Sequence, residues 1–98
     1  MYIIRDIFQL KFGHYKEAKQ LLEDARDSDL LPHAVHNRIL SDFTGDSYRL
    51  IFEEGHESLS DFERALTEGM AKKEWRDWYE KFKKHVRSSH REILKHVM

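Results

Sequence analysis

The chain carries seven histidines in 98 residues, and imidazole is the side chain whose ordinary titration falls between pH 5 and 8. His33 and His36 are three apart. On a helical turn that spacing sets two rings on one side, as a metal pair requires. A metal site needs further donors, however. The chain has no cysteine, and neither an HExxH run nor a carboxylate triad accompanies the pair. The reading is a solvated connection, with no metal and no cofactor. His85, His90 and His96 are spread along the C-terminal stretch, where they tune surface charge. A second candidate set is aromatic. Trp75, Trp78, Tyr79 and Phe82 recur, with Val86, at i, i+3, i+4, i+7 and i+11, the stripe of one helical face. Such a stripe packs a helix on a core. Where the cleft stays partly open, it also walls a pocket for a flat aromatic or haem-like ligand. Asp6 interrupts an apolar strand face. Buried there, it would hold its proton tightly and serve as an acid or base; paired with Arg5, Arg38 or Arg49 across a sheet, it would be structural. The candidate ligand pocket is Asp6, His14, Trp75, Trp78 and Tyr79, with Asp6, His14 or Tyr79 as the inward polar group. No glycine-rich phosphate loop, nucleophile elbow or Ser/His/Asp arrangement is recognisable, so no catalytic residue is assigned.

These residues need elements to hold them. Tyr2 to Phe12 reads as a strand with Tyr2, Ile4, Phe8, Leu10 and Phe12 on one face. Its opposite face carries Ile3 and Ile7 among Arg5, Gln9 and Lys11. Both faces hold large apolar groups, so something must cover each. Gly13 ends the strand, and Tyr15 to about Arg26 fits an amphipathic helix through Tyr15, Ala18, Leu21, Leu22 and Ala25. Leu30 to His36 is a connection containing the only proline, Pro32. Asn37–Phe43 and Ser47–Phe52 read as two strands of an antiparallel hairpin turned at Thr44-Gly45-Asp46. Glu53-Glu54-Gly55-His56 then leaves the sheet. A helix through Phe62, Leu66 and Met70 begins near Ser58 or Ser60, where Ser60-x-x-Glu63 fits a capping box. A further helix runs from about Lys72 to Val86 and is broken at Ser88-Ser89. Arg91–Val97 reads as a last strand or a frayed helix. The order β-α-β-β-α(α)-β is the ferredoxin-like split βαβ arrangement in a single α+β domain spanning residues 1–98.

Size and charge limit the remaining classes. A chain this short buries only about two-thirds of its unfolded surface, so a lone core is marginal and oligomerisation is one remedy. Two such sheets packed face to face would cover the second apolar face of strand one, which predicts a homodimer. The N-terminus does not read as a signal peptide, and no apolar segment approaches the ~20 residues of a membrane span. Together with the absence of cysteine, this points to the cytoplasm. The net charge is -1, which gives no global field for nucleic acid. The charge is uneven: residues 1–71 hold 8 Lys+Arg against 14 Asp+Glu, and residues 72–98 hold 9 against 4. The first reading of that split is complementarity within or between subunits, and the second is a basic docking patch.

The run Tyr2-Ile3-Ile4-Arg5-Asp6 through Leu10-Lys11-Phe12-Gly13, with Glu74-Trp75-x-x-Trp78-Tyr79-x-Lys81-Phe82 and Arg91-Glu92-Ile93-Leu94, resembles NIPSNAP-like proteins of the dimeric α+β barrel superfamily. The similarity spans nearly the whole chain, with Phe12 where that family has proline. The resemblance implies the fold and the dimer. Relatives in the superfamily include cofactor-free monooxygenases, haem-degrading enzymes and proteins of unknown role, so two functions stand side by side. One is a homodimeric module that binds a small apolar or aromatic ligand or a protein partner. The other is a cofactor-independent monooxygenase or isomerase acting on an aromatic or polyketide-like substrate.

Overall fold

A computed structural model describes all 98 residues. Strand β1 (Tyr2–Leu10) leads through Gly13 to helix α1 (Tyr15–Asp27), followed by β2 (His36–Ser41) and β3 (Arg49–His56). Helices α2 (Leu59–Met70) and α3 (Lys73–Phe82) follow, then a 3-10 turn (Lys83–His85) and strand β4 (Val86–Lys95). The sheet order is β2-β3-β1-β4, with every neighbouring pair antiparallel. This is the expected ferredoxin-like α+β fold, with one helix more than the minimum before the last strand. Its shortest dimension is 21 Å, the depth of one sheet and one layer of helices.

The helices all lie on one side, where their apolar stripes meet the buried face of the sheet. Ile4, Leu10, Leu50 and Phe52 are buried on that face beneath Ala18, Leu22 and Ala25 of α1 and Phe62 of α2. Phe82, at the end of α3, sets its ring edge-on to Phe8 at 5.0 Å and stacked on Trp78 at 5.0 Å. The core is small: 13 of 98 residues are buried, and three of those are Glu53, Glu54 and His56. The other sheet face carries Ile3, Ile7, Leu40, Ile51 and Leu94, all half-buried or exposed, with no helix over them.

Several boundaries differ from expectation, and each difference has a cause. Glu53 to His56 do not leave the sheet; they are the second half of β3. As a central strand, β3 is hydrogen-bonded by β1 and β2 at once, and this pairing outweighs the poor strand preference of Glu and Gly. Ser88 and Ser89 do not break anything. They lie in β4 opposite Gln9 and Phe8, with a bulge where Gln9 gives way to Leu10. The last segment is a strand rather than a frayed helix, and α3 stops at Phe82 instead of reaching Val86. The cap of α2 is Ser58, whose hydroxyl accepts from the Asp61 N–H at 3.1 Å; the Ser60–Glu63 box is not used, because the helix begins before it. Phe12 falls outside β1 and is 87% exposed. The hairpin is antiparallel as expected. Its turn is organised by Asp42, which accepts from the Ser47 N–H at 3.1 Å and from Arg49 at 2.9 Å.

Two glycines are structurally required. Gly13 adopts φ +83°, which lets the chain turn from β1 into α1. Gly55 sits directly opposite His36, so close that a Cβ there would come within 2.4 Å of the imidazole.

Candidate functional site

Period-two alternation along β3 sends neighbouring residues to opposite faces. Tyr48, Leu50 and Phe52 define the helix side, so Glu54 and His56 follow them into the space under α2 while Glu53 points to the open face. His56 is 3% exposed and Glu54 2%. The imidazole Nε2 lies 3.4 Å from Glu54 Oε1. Neither that nitrogen nor Glu54 Oε2 has a hydrogen-bond partner. Buried polar atoms are nearly always satisfied, so the two unpaired atoms leave hydrogen-bonding capacity for a further partner. Burial pushes the Glu54 carboxyl above its ordinary value, and the attraction of His56 and Arg91 does not offset it. The pair sets a carboxyl whose affinity for its proton is raised in contact with an imidazole.

The surroundings combine an apolar wall and a charged rim. The Phe62 ring of α2 stands 5.7 Å from the His56 ring, and the Arg91 guanidinium lies over the same phenyl at 5.3 Å. Arg91 also donates to Asp6 at 2.6 Å. Beyond His56 the space opens into a cleft of about 510 Å³ between the 30–35 connection and α2. Leu30, Pro32, Val35 and Ala65 line it, with Asp61 and Arg64 among its charged residues. The volume falls within the range of small-molecule sites.

The residues singled out from sequence lie in three places. Asp6 reaches the neighbourhood of Glu54, where its charge is felt by that carboxyl. Its partner is Arg91, the residue opposite it on β4, not Arg5, Arg38 or Arg49, because those three project from the other face. Trp78 is in the core and donates its indole N–H to the Leu21 carbonyl at 2.7 Å. Trp75 and Tyr79 stack on each other along α3, with Tyr79 40% exposed. His14 is elsewhere, its Nδ1 2.9 Å from Nδ1 of His85. His33 meets Asp29 at 3.3 Å and His36 lies 3.6 Å from Glu53, so the two rings engage different carboxylates. No group of three or more His, Cys, Asp or Glu residues is arranged to hold a metal ion. Glu54 and His56 were readable only by extending the Tyr48-Leu50-Phe52 alternation two steps further.

On the open face, Glu53 is 1% exposed. It accepts from Arg5 at 3.0 Å and from Arg38 Nε at 3.1 Å, with a further bond from Arg38 Nη2. Burial alone would raise its carboxyl, but the two guanidiniums outweigh that and hold it below the ordinary range.

A single antiparallel sheet, helices on one side, a bare second face and a cleft beside α2 define a ferredoxin-like α+β protein with one ligand-sized cleft at His56. No protein-family model matches the sequence, and no curated protein does. Solved structures do match. A NIPSNAP family protein of unknown function from Agrobacterium tumefaciens is 18% identical with a TM-score of 0.88, covering 98% of this chain and 87% of that one. An uncharacterised NIPSNAP domain protein from Burkholderia xenovorans is 11% identical with a TM-score of 0.85, covering 99% and 95%. A putative antibiotic biosynthesis monooxygenase from Nitrosomonas europaea is 14% identical with a TM-score of 0.75, covering all of both chains. At these identities the likeness is one of fold: the chain is NIPSNAP-like in architecture, and the monooxygenase-like fold is a more distant match. No helix is long and apolar enough to cross a membrane.

Proposed function

We propose that the protein is a cytoplasmic homodimer in which each subunit binds a small, largely apolar or aromatic molecule in the α2 cleft, with the ligand's polar head against His56, which Glu54 backs from behind. The observation that carries this reading is the buried pair with its two unpartnered atoms. Beside an apolar core of nine residues, such groups weaken the fold unless a ligand completes them. Dimerisation draws its support from the bare sheet face. Ile3, Ile7, Leu40, Ile51 and Leu94 surround the Arg5–Glu53–Arg38 cluster there, and a second copy supplies the missing cover. Sedimentation equilibrium at micromolar concentration should return twice the 11.9 kDa subunit mass; a folded monomer defeats this half of the reading. For the cleft, 1-naphthol serves as a hydroxyaromatic probe. It should bind saturably to the wild type and be lost in His56→Phe. Equal binding by the variant removes the site.

A second reading is favoured by the contact between the Glu54 carboxyl and the His56 imidazole. A carboxyl group and an imidazole in contact are group types that general acid–base chemistry uses, which suits an isomerase or cofactor-independent monooxygenase acting on an aromatic or polyketide-like substrate. Its test is deuterium exchange from solvent into an enolisable aromatic ketone, accelerated by the wild type and abolished in His56→Gln.

A further inference from the structure

The open face of the sheet carries a charge pattern that runs across the strands. Residues opposite one another in an antiparallel ladder share a face. Arg38 stands opposite Glu53, Glu53 opposite Arg5, and Arg5 opposite Glu92. In the sheet order β2-β3-β1-β4 these four form one row, Arg38–Glu53–Arg5–Glu92, whose charges alternate plus, minus, plus, minus. The next row is Leu40, Ile51, Ile7 and His90, apolar except at the β4 edge.

The charged row is satisfied at its centre and open at its ends. Glu53 takes both guanidiniums. Glu92, at the β4 edge, has no ion pair within its own chain, although its charge reaches Arg49 on the same face. Arg38, at the β2 edge, keeps 62% of its side chain exposed. An unanswered anion therefore stands at one edge and a half-used cation at the other.

Two copies stacked face to face are related by a two-fold axis lying between the sheets. An axis across the strands lays each strand over its own copy. Centred on the charged row, it sets Arg38 over the partner's Arg38 and Glu53 over the partner's Glu53. Displaced halfway to the next row, it buries Arg38 and Glu53 against the partner's Leu40 and the partner's Ile51. Centred on that next row, it offers Glu53 the partner's Arg49, which Asp42 already holds, and Glu92 the partner's Ser88. None of these answers Glu92.

An axis along the strands reverses the strand order. Placed midway between β3 and β1, it lays β2 over the partner's β4 and β3 over the partner's β1. A four-member alternating row turned end for end presents its own complement. Arg38 meets the partner's Glu92, Glu53 meets the partner's Arg5, and Ile51 falls over the partner's Ile7. Stacked sheets lie about 10 Å apart, a gap that an arginine and a glutamate reaching from opposite sides close. A stacking twist of about 30° displaces the edges by about 4 Å, less than the ~7 Å between rows.

Resting on the homodimer proposed above, we propose that the two copies stack with β2 over the partner's β4, and that an Arg38–Glu92 pair at each edge selects this orientation. The apolar rows supply attraction that either axis would satisfy, and the charged row discriminates between them.

The chain has no cysteine, so directed cross-linking reads the orientation. Leu40 and His90 occupy the same two edges one row away, and cysteines there leave the charged row intact. After subunit exchange, a short bismaleimide should join Leu40→Cys to His90→Cys protomers. Neither variant should cross-link with itself, because equal positions lie about 14 Å apart sideways as well as across the gap. Sedimentation equilibrium provides the second measurement, with circular dichroism verifying each fold. Glu92→Gln should raise the dimer Kd about 25-fold, from two symmetric pairs at about fivefold each. Added to Arg38→Gln, it should raise Kd no further, since both remove the same pair. A dimer in which Leu40→Cys cross-links with itself, a missing mixed cross-link, or additive effects of the two glutamine variants overturns the orientation alone. A monomeric wild type overturns the homodimer as well.

Discussion

Replacing Glu54 and His56 together by apolar residues of similar size, Glu54→Met/His56→Leu, tests whether the pair serves the fold or the ligand. The two side chains are buried against Ile4, opposite Glu54 in register, and against Phe62. Their only mutual contact is 3.4 Å long. Glu54 Oε2 and His56 Nε2 are unsatisfied, and a buried atom of this kind costs about 1–3 kcal/mol. Exchanging a buried ionisable pair for well-packed apolar groups is often stabilising by about 1–4 kcal/mol. We take ~2 kcal/mol as the expected gain, equivalent to roughly 8–16 °C in Tm for a domain of this size. Urea unfolding at fixed subunit concentration and neutral pH measures it, with an unchanged m-value as the control. The pH dependence adds a second signature. Unfolded, Glu54 ionises near 4.5, while the folded protein retains the proton to higher pH. The folded state therefore binds more protons across that interval. Its stability falls as pH rises from 4.5 through the raised value, and levels off above it. The double variant lacks this decline and should not bind 1-naphthol. A variant less stable than wild type by about 1 kcal/mol or more would show that the pair is structural and refute the reasoning.

Glu53 behaves with the opposite sign. Its carboxyl is held below 4.5, so it contributes stability above that value and loses it as pH falls through the folded value. Acid unfolding followed by circular dichroism should accordingly be shallower in Glu53→Gln than in wild type. Phe82, 2% exposed and in contact with Phe8 and Trp78, should cost about 3–5 kcal/mol on truncation to alanine, read by urea unfolding; a loss under about 1 kcal/mol would remove it from the core. Trp78→Ala should cost about 3 kcal/mol, from the lost packing against Phe82 and the lost indole bond to the Leu21 carbonyl. Trp75→Ala, which removes only a partly exposed stack on Tyr79, should cost about 1 kcal/mol, and the two values measured side by side check the assignment.

The fold was legible wherever one periodicity ran without a competing signal. The stripe Trp75, Trp78, Tyr79, Phe82 marked α3, and the two-sided pattern of residues 2–10 marked a strand with two faces to cover. The site was less legible, because what makes it unusual is what made it look like a loop. Two adjacent glutamates followed by glycine and histidine carry poor strand preference. Only pairing with β1 and β2 on both sides shows that they are central. Asp6 was recognised as out of place, yet its partner Arg91 is 85 residues away and is fixed by the β1–β4 register, which no local pattern contains. His14 and His85 likewise meet only because the end of β1 and the turn before β4 are neighbours.

The neighbouring glutamates leave β3 with a degenerate address. A slip by one residue exchanges the faces of a strand, and with Glu53 and Glu54 side by side a slipped strand would still offer one carboxylate to each face. Gly55 removes the ambiguity. The imidazole of His36 rests where any Cβ at that position would intrude to 2.4 Å. Sliding β3 one step either way brings Glu54 or His56 beneath that ring, and either collides. Gly55 therefore favours the observed register over its neighbours, and a residue with no side chain biases which glutamate lies beside His56.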